Sequence, residues 1–187
     1  MINNHHQIVS SLDKVASLVK NIREQKKKIV LTQGSFDMIH IGHARYLIEA
    51  KKFGDVLIVG TDSDTKIAKR KGPGRPVVPQ DERLEMLTYL RPVDYVVLKH
   101  TQDPKWGLIK AVRPDVLIVI RDNYTNQDIT KLKEYCGQVK ILPRMATTST
   151  SAKLRELQIG AAKRIQETLS TKLLHTLEEA IRELRGE

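Results

Sequence analysis

The chain has little of what several functional classes require. It carries one cysteine, Cys136, among 187 residues. That excludes an intrachain disulfide and a cysteine-based metal site, and leaves a structural place near a helix end as its simplest role. Aromatic residues make up 4% of the sequence, too few for a base-stacking platform. No apolar run approaches membrane-spanning length, and the N-terminus lacks the charged-then-apolar pattern of a secretory leader. A reducing, cytoplasmic setting without a membrane partner is therefore expected.

Positive charge, by contrast, is abundant. Lys and Arg number 32 against 22 Asp and Glu, a formal net charge of +10. Such an excess attracts polyanions. With so few aromatics, small phosphorylated substrates are favoured over nucleic acid. Hydrophobic residues at 40% suffice for one substantial core.

Ile8, Leu12, Val15, Val19 and Ile22 recur in steps of four and three, which predicts an amphipathic helix over 8–23. Lys26-Lys27-Lys28 follows it, a favourable charge for a helix C-terminus. Beyond it, short apolar runs alternate with helix-like stretches. Strands are predicted over 29–32, 56–60, 95–98, 116–120 and 139–142. They lack polar alternation, as in a sheet buried on both faces. Gln80-Asp81-Glu82-Arg83 opens one helix, and Asp103-Pro104 supplies an N-cap and first-turn proline for another. Thr125 with Asp128 has the form of a capping box, and Gly137 that of a helix stop. The alternation implies a parallel five-stranded α/β sheet with right-handed crossovers, whose ligands bind beyond the carboxyl ends of the strands. From Leu154 to Leu184 apolar residues recur at helical spacing, with Gly160 a candidate bend. This last helix either packs on its own domain or serves oligomerisation. The expected division is 1–27, an N-terminal helical extension; 28–157, the α/β domain; and 158–187, a C-terminal helical extension.

The run Gly34-Ser35-Phe36-Asp37-Met38-Ile39-His40-Ile41-Gly42-His43 stands between a predicted strand and a helix-like stretch. A helix start presents unpaired N–H groups and the positive dipole end to an anion. Gly42 lets a phosphate approach the backbone. His40 and His43 can then converge on one anion and donate hydrogen bonds to a phosphoryl oxygen as charge builds. They lack a third ligand of suitable spacing, which disfavours a metal site. The basic, Gly/Pro-rich loop 66–76 is either a solvated loop or a lid whose cations hold phosphates. Ser149, Thr150 and Ser151 precede a helix and can both cap it and cradle phosphates.

His-Ile-Gly-His in this context resembles the signature of the HxGH nucleotidyltransferases, in the cytidylyltransferase-like branch. Lys71-Gly72-Pro73-Gly74-Arg75-Pro76, Asp81-Glu82-Arg83 and Arg91-Pro92-Val93-Asp94-Tyr95-Val96-Val97 extend the resemblance over 28–157. It is greatest to the adenylyltransferase domain of ADP-heptose synthase. The resemblance implies a Rossmann-like domain that transfers a nucleotidyl group from a nucleoside triphosphate to a small phosphorylated acceptor and releases pyrophosphate. AMP passing from ATP to a sugar 1-phosphate is the leading expectation. CMP passing from CTP to glycerol 3-phosphate, phosphoethanolamine or phosphocholine is the alternative, and a non-catalytic nucleotide-binding regulator the alternative of another class. His40, His43 and Lys71 are the implied catalytic residues. Gly34, Ser35, Phe36, Gly42, Asp122, Arg144, Ser149, Thr150 and Ser151 are implied to bind nucleotide, and Asp37, Asp64, Arg75 and Arg83 the acceptor. Mg²⁺ is expected through triphosphate oxygens rather than protein ligands. A homodimer is implied by analogy, with its contact near 91–97. One segment departs from the pattern. Ile120-Arg121-Asp122-Asn123-Tyr124 lacks the glycines of the Lys-Gly-Gly-Asp-Tyr-like segment in heptose-type enzymes, which shapes the nucleotide pocket.

Overall fold

A computed structural model describes residues 7–146 and 150–185. The chain divides into two compact units, Met1–Thr147 and Thr148–Glu187. In the first, strands β1 (Ile8–Val9), β2 (Ile29–Gly34), β3 (Val56–Asp62), β4 (Tyr95–Lys99), β5 (Val116–Ile120) and β6 (Gln138–Leu142) alternate with helices. These are α1 (Leu12–Glu24), α2 (Ile41–Lys51), α3 (Asp64–Lys71), α4 (Gln80–Thr88), α5 (Gly107–Val112) and α6 (Asn126–Leu132). The sheet is wholly parallel, in the order β1-β4-β3-β2-β5-β6. The fold is Rossmann-like, with six strands where five were expected.

The extra strand corrects the reading of the N-terminus. Ile8 and Val9 pair with Val96 and Val97 of β4 instead of opening the helix. The two side chains go to opposite faces of the sheet, Ile8 to one core and Val9 to the other, as strand geometry demands. Ser11 separates strand from helix, its Oγ accepting the Lys14 N–H at 3.4 Å as an N-cap. The helix then buries Val15, Val19 and Ile22. These join Leu108, Ile109 and Val112 of α5 in one core, so the N-terminal segment is integral to the first unit.

Two cores flank the sheet. One lies under α1, α5 and α6; the other lies under α2 and α4, with Tyr46, Leu47, Ala50, Leu84 and Leu87 packed on Leu57, Val59 and Val96. β3 is buried along its whole length, which explains its unbroken apolar run. Successive strands after β2 move outward in one direction, whereas β5 and β6 lie on its other side. The order therefore reverses at β2, and the crevice at its carboxyl end is the expected ligand position. The 34–43 segment leaves β2 at that point.

Two other local expectations change. Asp103-Pro104 does not start α5; Asp103 Oδ2 accepts the His100 N–H at 2.6 Å in a turn, and the helix begins at Gly107. Gly137 lies beyond the end of α6 and lets the chain pass the neighbouring strand closely: a Cβ there would stand 2.7 Å from Asp115 O. The capping box of Thr125 and Asp128 is present as read. Cys136 Sγ donates to Leu132 O at 3.0 Å, and burial raises its pKa.

The second unit is α7 (Thr150–Arg185), a continuous 36-residue helix that Gly160 does not interrupt. Leu157, Ile165, Leu169, Leu173 and Leu177 on it are exposed. Among the described residues no helix is long and apolar enough to cross a membrane.

At the amino end of the sheet, carboxylates receive the first strand N–H groups. Asp115 Oδ2 accepts from Ile29 at 2.7 Å, Asp55 Oδ2 from Lys28 at 2.8 Å, and Asp94 Oδ2 from Leu57 at 2.6 Å while also pairing with Lys51. Asp94→Ala orphans the Leu57 donor at the start of the central β3. We expect it to cost about 1–3 kcal/mol in urea unfolding, without loss of the folded structure by circular dichroism.

Candidate active site

The two histidines occupy a helix start and cap it reciprocally. His40, in extended conformation, is the N-cap of α2. Its Nδ1 accepts the Gly42 N–H at 3.1 Å, and the His40 N–H donates to His43 Nδ1 at 3.3 Å. A backbone N–H can only donate, so both Nδ1 atoms are acceptors and the proton each ring offers outward is on Nε2. Capping thus fixes the tautomer that an oxyanion-stabilising imidazole needs. The two imidazole centroids lie 4.1 Å apart, and the Phe36 ring sits 5.5 Å from that of His43. Burial, then the charge of His40 and of Lys71, lowers the His43 pKa to about 4, so it is neutral at pH 7.

Close contacts dictate the small residues of the turn. A Cβ on Gly42 would stand 2.5 Å from the Ala146 Cβ and 2.8 Å from His40 Cε1. Phe36 and Met38 adopt left-handed backbone angles, φ +47° and +56°, which non-glycine residues adopt only when their surroundings hold them.

Arg83 provides much of that hold. Its side chain is 1% exposed. Nε donates to Val78 O at 2.9 Å, Nη1 to Ser35 O at 2.7 Å and Thr61 Oγ1 at 2.8 Å, and Nη2 to Asp62 O at 2.9 Å and Asp64 Oδ1 at 2.7 Å. All five guanidinium donors are engaged by protein. None remains for an acceptor, so the binding role expected of Arg83 gives way to a structural one. Asp64, which also accepts the Gln80 N–H at 3.1 Å, is part of the same clamp.

Asp37 is likewise turned inward. Its Oδ1 accepts the Val77 and Val78 N–H groups, each at 3.0 Å, and its Oδ2 lies 2.6 Å from Arg75 Nη2, an ion pair without hydrogen-bond alignment. Asp37 thereby ties the basic loop to the signature turn. The buried Nε of Arg75 has no acceptor among the described residues. Lys71 ends α3 within electrostatic reach of His43, and its pKa is lowered by burial and by Arg75 and Arg70, against the pull of Asp37 and Asp62.

Asp122 and Arg144 come together from the ends of β5 and β6, Arg144 Nε donating to Asp122 Oδ2 at 2.8 Å. Tyr124 turns inward, its hydroxyl 3.4 Å from Gln33 Nε2 and its pKa raised to about 12 by burial and by the charge of Asp62. Gly34 faces the Phe36 ring, which a Cβ would approach to 3.0 Å. Ser149 lies outside the described residues. Thr150 and Ser151 open α7, with their side chains outside that description. Sequence reasoning missed Asp62 and Lys99, which form a charge cluster beside Ser35 with Arg70 of the basic loop. The available signal was a charged residue closing an apolar run at a carboxyl end, which β3 and β4 both show.

Comparison with known proteins gives the family and the fold. A family model described as Cytidylyltransferase-like matches residues 31–176. The Bifunctional protein HldE of Aliarcobacter butzleri is 37% identical over 156 residues, 82% of this chain and 32% of that protein. The protein of the same name from Helicobacter pylori is 36% identical over 158 residues, 84% of this chain and 33% of that one. The chain thus spans about a third of the length of these relatives. A lipopolysaccharide core biosynthesis protein from Thermoplasma volcanium superposes with a TM-score of 0.53 at 29% identity, covering 63% of this chain and 96% of its own. Pantoate-beta-alanine ligase from Francisella tularensis gives 0.58 at 16% identity, covering 77% and 68%, and shares the fold.

Two outcomes test the site geometry. Arg83→Lys replaces the fork with a point charge and leaves buried carbonyls unpaired. Its expected cost is about 3 kcal/mol or more in equilibrium unfolding. Because the folded His43 pKa lies below its unfolded value of 6.5, the unfolded chain binds more protons as pH falls from about 6.5 towards 4. Stability therefore declines over that window. His43→Asn is expected to show a shallower decline than wild type in urea titrations between pH 7 and pH 4.

Proposed function

We propose, from the premise that the chain belongs to the cytidylyltransferase-like family, that this nucleotidyltransferase domain transfers AMP from ATP to a sugar 1-phosphate and releases pyrophosphate. The observation that carries the reading is the pair of imidazoles whose Nδ1 atoms are occupied by backbone N–H groups at a helix start. In this reading each ring turns an Nε2–H to an anion bound at the helix start.

An acceptor phosphate monoester is already anionic and needs no strong general base. One of its oxygens attacks the α-phosphorus as the bond to the bridging oxygen breaks, and pyrophosphate carries away that electron pair. The protein must align two anions and stabilise the charge on the transferred group. His40 and His43 donate to that group, His43 as a neutral imidazole, and Lys71 adds positive charge beside them. The buried, hydrogen-bond-free Nε of Arg75 fits an anionic acceptor, since an unsatisfied buried donor is costly. Among the described residues no group of three His, Cys, Asp or Glu could hold a metal ion. In this proposal Mg²⁺ arrives with the triphosphate, as part of the substrate. A homodimer belongs to the same proposal, supported by the exposed apolar side chains Ile41 and Ile48 on α2 and Met86 and Tyr89 on α4.

Pyrophosphate release, measured for ATP, CTP, GTP and UTP against phosphorylated sugars and alcohols, tests the assignment. Turnover is expected with ATP and a sugar 1-phosphate. Turnover with CTP and an alcohol phosphate instead would replace the base and acceptor. Tight nucleotide binding with no turnover for any pair would favour the regulator. His40→Asn and His43→Asn each keep a capping oxygen near the Nδ1 position but lose the Nε2–H. Each is expected to lower kcat on the order of 10²-fold, with the thermal midpoint little changed.

A further inference from the structure

Beside Ser35 lies a charge cluster that the capping histidines do not use. Asp62, at the end of β3, has a side chain 1% exposed. Its Oδ1 lies 2.9 Å from Lys99 Nζ, and its Oδ2 lies 2.8 Å from Arg70 Nη2, in contact but without hydrogen-bond alignment. Asp62 and Lys99 are register partners on adjacent strands, so their side chains leave the same face of the sheet. The aliphatic stem of Lys99 lies over Gly60, where a Cβ would come within 3.0 Å of its Cδ. Burial lowers the pKa of Lys99, opposed by Asp62.

Buried ion pairs are a poor source of stability, because desolvation offsets much of the attraction. Here two cations converge on one buried carboxylate at the carboxyl end of the sheet. The cluster therefore keeps one positive charge in excess, carried by the outermost member, Arg70. That guanidinium is 57% exposed. Its Nη2 also donates to Ser35 Oγ at 2.6 Å, which places it against the signature turn. Its Nε and Nη1 have no partner among the described residues. Arg75, by comparison, is matched one to one by Asp37 and is 12% exposed.

We propose that Arg70 contacts substrate phosphate, anchored over the signature turn by Asp62. Its unengaged Nε–H and Nη1–H groups lie on separate edges of the guanidinium, and each can donate to a phosphoryl oxygen while Nη2 stays on Ser35. Ser35 Oγ accepts from Arg70, so its hydroxyl proton remains available for the same phosphoryl oxygen. The ligand chemistry is an anionic phosphoryl group, whether on the nucleotide or on the acceptor. The inference rests on the nucleotidyl-transfer reading above.

The test uses the full chain with Arg70→Ala and Arg70→Lys, read by ATP calorimetry and by pyrophosphate release at varied acceptor. Arg70→Ala is expected to lower kcat/KM about tenfold to a hundredfold, with an unchanged thermal midpoint. Arg70→Lys restores part of the loss. A raised Kd for ATP assigns the contact to the nucleotide; a raised acceptor KM at unchanged ATP Kd assigns it to the acceptor. Asp62→Asn tests the anchor: its effect should vanish in the Arg70→Ala background, since both act through one contact, and additive losses would overturn the anchoring. Values for Arg70→Ala within twofold of wild type on both substrates would overturn the contact itself. A wild type that binds ATP without turnover would defeat the nucleotidyl-transfer reading instead. In that case an unchanged ATP Kd in Arg70→Ala overturns the present proposal, and a raised one supports it.

Discussion

The buried guanidinium of Arg83 is the constraint on which the carboxyl end of the sheet depends. Chains leaving β2 and β3 diverge, and their last backbone groups no longer pair with each other. Arg83 reaches both, donating to Ser35 O after β2 and to Asp62 O at the end of β3. It also holds Val78 O and Asp64, which fixes the basic loop and the start of α3. One rigid fork with five donors can cross-link four segments in this way, where a lysine offers a single point. The left-handed residues Phe36 and Met38 lie immediately beyond the point it grips.

The polarity of a parallel sheet accounts for the distribution of charge. Strand starts expose N–H groups, and here aspartates receive them: Asp55, Asp94 and Asp115. Strand ends expose carbonyls, and cations collect there. Arg83 satisfies those carbonyls, and Arg70, Lys71, Arg75 and Lys99 gather around the same end with only Asp37 and Asp62 buried among them. Cations thus outnumber carboxylates at the sheet edge beside a helix start, which suits an anionic ligand.

The histidines show how a local motif acquires chemistry. Their spacing lets each Nδ1 take a backbone N–H from the first turn of α2. The cap orients both rings, with Nδ1 of each accepting a backbone N–H. Burial and neighbouring charge lower the His43 pKa and keep that ring neutral. A neutral donor resists exchanging its proton with a phosphate yet still stabilises developing charge. Gly42 is indispensable for steric reasons, with Ala146 and the His40 ring occupying the space of a side chain.

Much of this was legible along the chain. Apolar runs gave the five principal strands nearly to their ends, the capping box at Thr125 was readable from four residues, and the histidine segment was placed correctly between strand and helix. These features depend on residues close in sequence, whose periodicity and backbone hydrogen bonding are local. The first strand was not legible, because two residues carry no period of their own and are strands only by pairing with β4. The roles of Arg83, Asp37 and Asp62 were hidden for a related reason. Their partners lie up to 48 residues away, and only the strand order brings Ser35, Thr61 and Asp64 to one guanidinium. The sequence by itself determined the class of fold and the place of the histidine segment between strand and helix. The tertiary structure decided which charges face inward to hold that segment and which remain outward, since burial and pairing follow from strand neighbours that no local pattern records.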